Sequence, residues 1–232
     1  MKYAVLLLAL MFVGVATPSM AQMLTFEFEG ETIEVAEKLH LESLEIKREL
    51  GDKDGISKSL NNLAVIYFEQ GNDNAAIENF CESIILKREL KAIPNLVASI
   101  HRVFSLIDKE EQGRYNKELS SLDKREFTAK ENCWLNNIQL MDDCMNNVSI
   151  SVGDIQKIVT QIIHFCNQTT INDIDDLPVE AFYVATKKLI QLDAPEEAQE
   201  LAKQALKWIG NRKTRRKEEL EKMINSTTYN SV

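Results

Sequence analysis

Proline and glycine are scarce, with 4 and 8 among 232 residues. That scarcity argues against disorder and against an all-β fold, both of which spend those residues freely. Basic charge is in the minority, since 27 Lys and Arg face 36 Asp and Glu, for a net charge of −9. Such a surface disfavours nonspecific binding to nucleic acid or to anionic lipid. Catalytic and cofactor motifs are missing as well: GxSxG, HExxH, a glycine-rich phosphate loop and a dinucleotide fingerprint are all absent. The sequence therefore predicts no enzyme, no catalytic residues, no cofactor and no metal.

Long apolar runs are also missing, apart from one at the very start. MKYAVLLLALMFVGVATPSMAQ carries a single Lys, an apolar run from Ala4 to Ala16, then Pro18 and small residues. Ser19 and Ala21 stand where a leader peptidase reads small side chains, so the expectation is a signal peptide over 1–21, cut after Ala21. As a helix that run spans only ~20 Å, short of the ~30 Å bilayer core. The mature chain is expected to be secreted or periplasmic, with no membrane span.

What is present is 44% apolar residues and an abundance of Leu, Ile, Ala, Glu, Lys and Asn, a mixture that suits amphipathic helices. The chain also repeats itself. LESLEIKREL at 41–50 returns as CESIILKREL at 81–90, so a shift of forty aligns Ala36 with Ala76, Ser43 with Ser83 and Lys47 with Lys87. Between them, Leu60, Leu63, Ala64 and Tyr67 fall on one helical face. Gly71 can end that helix, Asp73 or Asn74 can cap the next, and Ala76, Phe80, Ser83 and Ile84 mark a second stripe. Small residues at 64, 76 and 83 allow the two helices to approach closely, with Tyr67 and Phe80 filling the space around them.

The order Leu, Leu-Ala, Tyr, Gly, Ala, Phe, Ser over 60–83 resembles the tetratricopeptide repeat, and EIKRELGDKDG with LNNLAVIYFEQGN resembles its forty-residue subtype. The resemblance implies an all-α solenoid of antiparallel helix hairpins, about ten helices in all. The repeats are clear at 55–90, partial at 32–50 and degenerate at 95–126, where Phe104 stands in the place of Ala64. These make up a first part, 22–130. The second part, 131–232, holds a helix pair at 131–147 and 152–167, a loop QTTINDIDDLP, a repeat-like hairpin at 178–209 and a closing helix at 212–225. Pro195 suits a helix start and Gly210 a stop.

In that family the first helix of each hairpin lines a concave groove that takes a peptide or protein. Carried over, the groove face holds Lys58, Asn61, Asn62, Val65, Phe68 and Glu69, then His101, Arg102 and Ser105. Asn61 and Asn62 could hydrogen-bond an extended peptide backbone. The carboxylate clamp of chaperone-binding relatives is not expected, because Val65 takes the place of its Asn. The first repeat lacks a full first helix after cleavage, leaving Leu24, Phe26 and Phe28 in strand-like alternation. The uncovered face of 32–50 predicts self-association, or a partner's segment, through residues 22–50.

Four cysteines, 81, 133, 144 and 166, allow disulfides in an exported chain. Cys133 and Cys144 would lie ~16 Å apart on one helix, beyond bridging distance. A hairpin turning near residue 150 sets Cys133 opposite Cys166, as a bridge or as two buried thiols. His40 takes the place of Phe80, which makes it a packing residue, and His164 and Cys166 point apart at i, i+2. The basic cluster Arg212, Lys213, Arg215, Arg216 and Lys217 beside Glu218, Glu219 and Glu221 reads as a solvated helix face. Asn147, Asn167 and Asn225 begin glycan acceptor triplets.

Overall fold

The computed structural model describes residues 31–123, 127–168, 178–212 and 214–229. The expected signal peptide, the segment 22–30 and the loop at 169–177 lie outside the described residues. Those described form ten helices and no strand: α1 Glu31–Glu49, α2 Lys53–Glu69, α3 Asp73–Glu89, α4 Ile93–Val103 and α5 Lys109–Ser121, followed by α6 Ala129–Asn146, α7 Val152–Gln168, α8 Val179–Gln191, α9 Pro195–Ile209 and α10 Arg215–Tyr229. The all-α, helix-on-helix architecture is the one the periodicity predicts. None of these helices is long and apolar enough to cross a membrane.

One turn geometry recurs along the chain. Gly51, Gly71, Lys91 and Asp193 all sit at positive φ, just after helices α1, α2, α3 and α8. In each case the next residue's N–H reaches back five positions, as in Asn72 to the Tyr67 carbonyl at 2.8 Å and Ala92 to the Lys87 carbonyl at 2.9 Å. The left-handed residue's own N–H reaches back three. Together these bonds satisfy carbonyls that the helix end leaves open, and they reverse the chain in three residues. The helix after Gly71 is capped by Asn72, whose Oδ1 accepts from the Ala75 N–H at 3.3 Å, rather than by Asp73 or Asn74. The tight reversal places the cap one residue earlier than the polar run suggests.

Short turns force antiparallel neighbours, and the small residues let them close up. Ala64, Ala76 and Ser83 are fully buried where α2 meets α3, and the Ser83 hydroxyl donates to the Ser57 carbonyl at 2.7 Å. Burying a hydroxyl without such a bond would cost about 1–3 kcal/mol. The α8–α9 hairpin repeats the device with Ala181, Ala185, Ala198, Ala202 and Ala205, and Phe182 packs against Trp208 at 4.9 Å. Pro195 opens α9 and Gly210, at φ 63°, ends it.

The repeat weakens at α4. Phe104 is fully buried where α2 has Ala64, so its bulk occupies the space a neighbouring helix would use. Helix α5 accordingly packs loosely on α4 and is tied by side chains: Gln112 donates to the carbonyls of Phe104 and Ile107 at 3.0 Å, and Arg88 pairs with Glu118. One apolar core then runs from Ala64 through α4, α6, α8 and α9 to Leu220 of α10, with a smaller cluster under α1.

Candidate functional site

The predicted groove residues come from α2, α4 and the turn after α4, and the structure divides them into two groups. Asn61, Phe68, Glu69, His101 and Ser105 are used inside the molecule. Asn61 and His101 are buried, while Phe68, Glu69 and Ser105 are half-buried and make contacts within the chain. Lys58, Asn62, Val65 and Arg102 keep partial or full exposure.

Asn61 is buried because it completes a chain of hydrogen bonds. Lys87 Nζ donates to Ser99 Oγ at 2.6 Å, and Ser99 Oγ donates to Asn61 Oδ1 at 3.1 Å. Lys47 donates to Ser59 at 2.8 Å in the same way one repeat earlier. The forty-residue shift aligns both Lys and Ser, so this link is a repeat element that ties each second helix to the next first helix. Burial, reinforced by the positive charge of Arg102, pulls the Lys87 ammonium down to about 7.

The unfolded chain takes up a proton near 10.5 while the folded chain resists until about 7. Stability at this position is therefore lowest below pH 7 and recovers as pH rises from 7 toward 10.5. Lys87→Met should remove that slope and add about 1–2 kcal/mol at pH 7, as apolar replacements of buried ions often do. Urea denaturation at pH 7 and pH 10 measures both effects. An equal slope in both proteins would refute the assignment.

His101, at the position forty after Asn61, is fully enclosed, and neither ring nitrogen has a hydrogen-bond partner. Burial and the nearby charge of Arg102 push it down to about 3, so it is a neutral ring packed like an apolar group.

The second set of groove residues meets the start of α10. Arg215 donates its backbone N–H to Glu69 at 2.7 Å and pairs through its guanidinium with Asp73. Arg216 is buried and grips Glu180 of α8 with two bonds, 2.7 and 2.6 Å, while also pairing with Glu219. Both guanidinium groups lie over the Phe68 ring, at 4.9 and 4.8 Å, and Arg216 also covers Tyr183 at 3.9 Å. The Ser105 hydroxyl donates to Glu180.

Burial by itself would lower the Arg216 pKa, but the charges of Glu180 and Glu219 outweigh it and raise it further. Burial raises the Glu69 carboxyl, and the Arg215 N–H only partly offsets that. The basic cluster is thus not a solvated face at Arg215 and Arg216; it is an internal ionic hub joining α2, α3, α8 and α10. One signal for it was legible: Arg216, Leu220 and Ile224 recur at i, i+4, i+8, so Arg216 lies in line with the apolar stripe.

Lys58, Asn62, Val65 and Arg102 remain as the outward part of the predicted face. Lys58 pairs with Asp54 on its own helix. Arg102 and Lys58 both act to lower the Lys87 pKa, and Asp54, which pairs with Lys58, opposes them. Among the described residues, no cluster of three or more His, Cys, Asp or Glu could hold a metal ion.

In the second half, Cys133 and Cys166 are buried with their sulfurs 3.8 Å apart and unbridged, and Cys144 is buried elsewhere on α6. Burial pushes the Cys144 thiol up to about 12, so it is inert at neutral pH. His164 is exposed while Cys166 is buried, so the two do point apart. Asn147 and Asn225 are exposed.

Residues 23–89 match the tetratricopeptide repeat family, a repeat associated with protein–protein interaction. The match covers α1, α2 and α3 and ends where Phe104 has yet to disturb the spacing. No curated protein matches the chain.

Proposed function

We propose that the protein is an exported, non-enzymatic scaffold of tetratricopeptide type that binds an acidic segment of a partner protein along the strip formed by Lys58, Asn62, Val65 and Arg102. The exposed Lys58 and half-exposed Arg102, on adjacent first helices with Asp54 as a neighbouring counter-charge, carry the reading. A chain of net charge −9 repels acidic partners on average, so a local basic strip favours where they land. Val65 supplies an apolar contact and the Asn62 amide can both donate and accept, which suits a peptide backbone. The leader-like residues 1–21 support export.

Surface capture tests this reading. The full chain is immobilised and challenged with an array of acidic, neutral and basic peptides at low and physiological salt. Acidic peptides should bind best, and Lys58→Glu with Arg102→Glu should weaken them about tenfold or more, a loss of about 1.4 kcal/mol. Peptide binding indifferent to charge, or unmoved by the double substitution, would refute it.

A further inference from the structure

Helix α1 has one face buried and another bare. Leu44 packs into the small cluster with Ile56, Leu60 and Leu63, and Lys47, Glu37 and Arg48 bond to Ser59, Gln70 and Glu82 of α2 and α3. On the side away from both helices stand Val35, Ile46 and Leu50, 50%, 56% and 75% exposed, with Leu39 between them. At 100° per residue these four fall within 60° of one another, a stripe ~22 Å long. A monomer leaves such a stripe bare only at a cost, and a terminal repeat usually covers it.

The spacing of this stripe identifies its occupant. Reversed about the midpoint between Glu42 and Ser43, it superposes on itself: Val35 meets Leu50 of a second copy and Leu39 meets Ile46, both pairs summing to 85. Charge follows the same register. Lys38, Glu45 and Glu49 share one exposed flank of α1, and antiparallel packing brings like flanks together. Lys38 then lies between Glu45 and Glu49 of the second copy, twice per dimer, against the approach of the two Glu42 side chains at the midpoint. Among the described residues Lys38 makes one loose salt bridge, to Glu42 at 3.9 Å.

The forty-residue register would assign a covering helix to residues 13–29. There Leu24 replaces Ala64, Glu27 replaces Tyr67, and Pro18 falls inside, so the packing pattern is absent from that stretch. We infer that two copies of this chain pair antiparallel through α1, each covering the exposed stripe of the other. The pairing is separate from the basic strip on α2 and α4, so either can fail without the other.

Sedimentation velocity on the full chain, across about a hundredfold range of concentration spanning the micromolar dissociation constants of small interfaces, is expected to show a monomer–dimer equilibrium. Ile46→Glu should leave a monomer with an unchanged circular dichroism spectrum, because residue 46 is exposed in the single chain. Lys38→Glu should weaken the dimer about tenfold, and adding Glu45→Lys with Glu49→Lys should restore it. Three results would overturn the inference: a wild-type monomer throughout, as when the chain's own first residues cover the stripe; a dimer indifferent to Ile46→Glu; or a charge swap that fails to rescue.

Discussion

Arg216→Ala is expected to lower the stability of the fold by about 3–5 kcal/mol, the loss typical of a broken buried ion pair. The size follows from what the substitution leaves behind. Glu180 loses two charge-assisted bonds and Glu219 loses one, while the Phe68 and Tyr183 rings lose the cation over their faces. The carboxylates are then stranded where water reaches them poorly, so the penalty comes mostly from desolvation rather than from lost attraction. Urea denaturation gives the measurement, with the midpoint falling and the slope unchanged. Arg216→Lys keeps the charge but not the fork that grips Glu180, and it should recover only part of the loss. Replacing both partners, Arg216→Met with Glu180→Leu, should recover most of it. A loss below about 1 kcal/mol in the alanine variant would mean that the pair behaves as an exposed one.

Oxidation should act on the other half of the molecule with comparable force. Cys133 and Cys166 already stand 3.8 Å apart at the open end of the α6–α7 hairpin. Glutathione disulfide can take two electrons and two protons from the pair, leaving one S–S bond and two glutathione thiols. The bridge would close a loop between positions 33 apart, which the chain-entropy model values at about 4 kcal/mol. Thiol titration in denaturant should fall from four groups to two, and the urea midpoint should rise. Cys133→Ser should abolish both changes. A bridge formed instead by Cys81 or Cys144, or a bridge without added stability, would overturn the pairing.

Most of the architecture was legible in the sequence, because the small residues carry it. Ala64, Ala76, Ser83 and the alanines of α8 and α9 sit at helix crossings, and only a small side chain fits there. Their spacing therefore reports the packing directly. Pro195, Gly71 and Gly210 mark helix ends for equally local reasons. The antiparallel α6–α7 pair followed from two periodic stretches and a short turn, and the facing cysteines came with it.

The surroundings of the predicted groove residues were less legible, because they depend on which distant segment lands there. Nothing near Phe68 or Glu69 in the chain announces Arg215, 146 positions away from Glu69. The cluster of basic residues around 215 looked like a solvated helix surface because acidic neighbours at i+3 and i+4 suggested local pairing. That pairing exists, through Glu219, yet Arg216 also reaches Glu180 on another helix. Ser105 falls on the predicted groove face, although its hydroxyl donates to Glu180. Lys87 was visible as a repeated residue, but its burial was not, since a lysine on a periodic stripe usually reaches water through its long stem.

Strings of helical hairpins commonly melt piecemeal, with the outermost unit fraying before its neighbours. In this protein the final helix is fastened to the first complete hairpin through Arg215, Glu69 and Asp73, so the tail is clasped to the head. A clasped string cannot shed its last unit without also loosening an early one. Loss of order in α10 is therefore expected to loosen the α2–α3 hairpin directly, through Arg215, without passing through the helices between them.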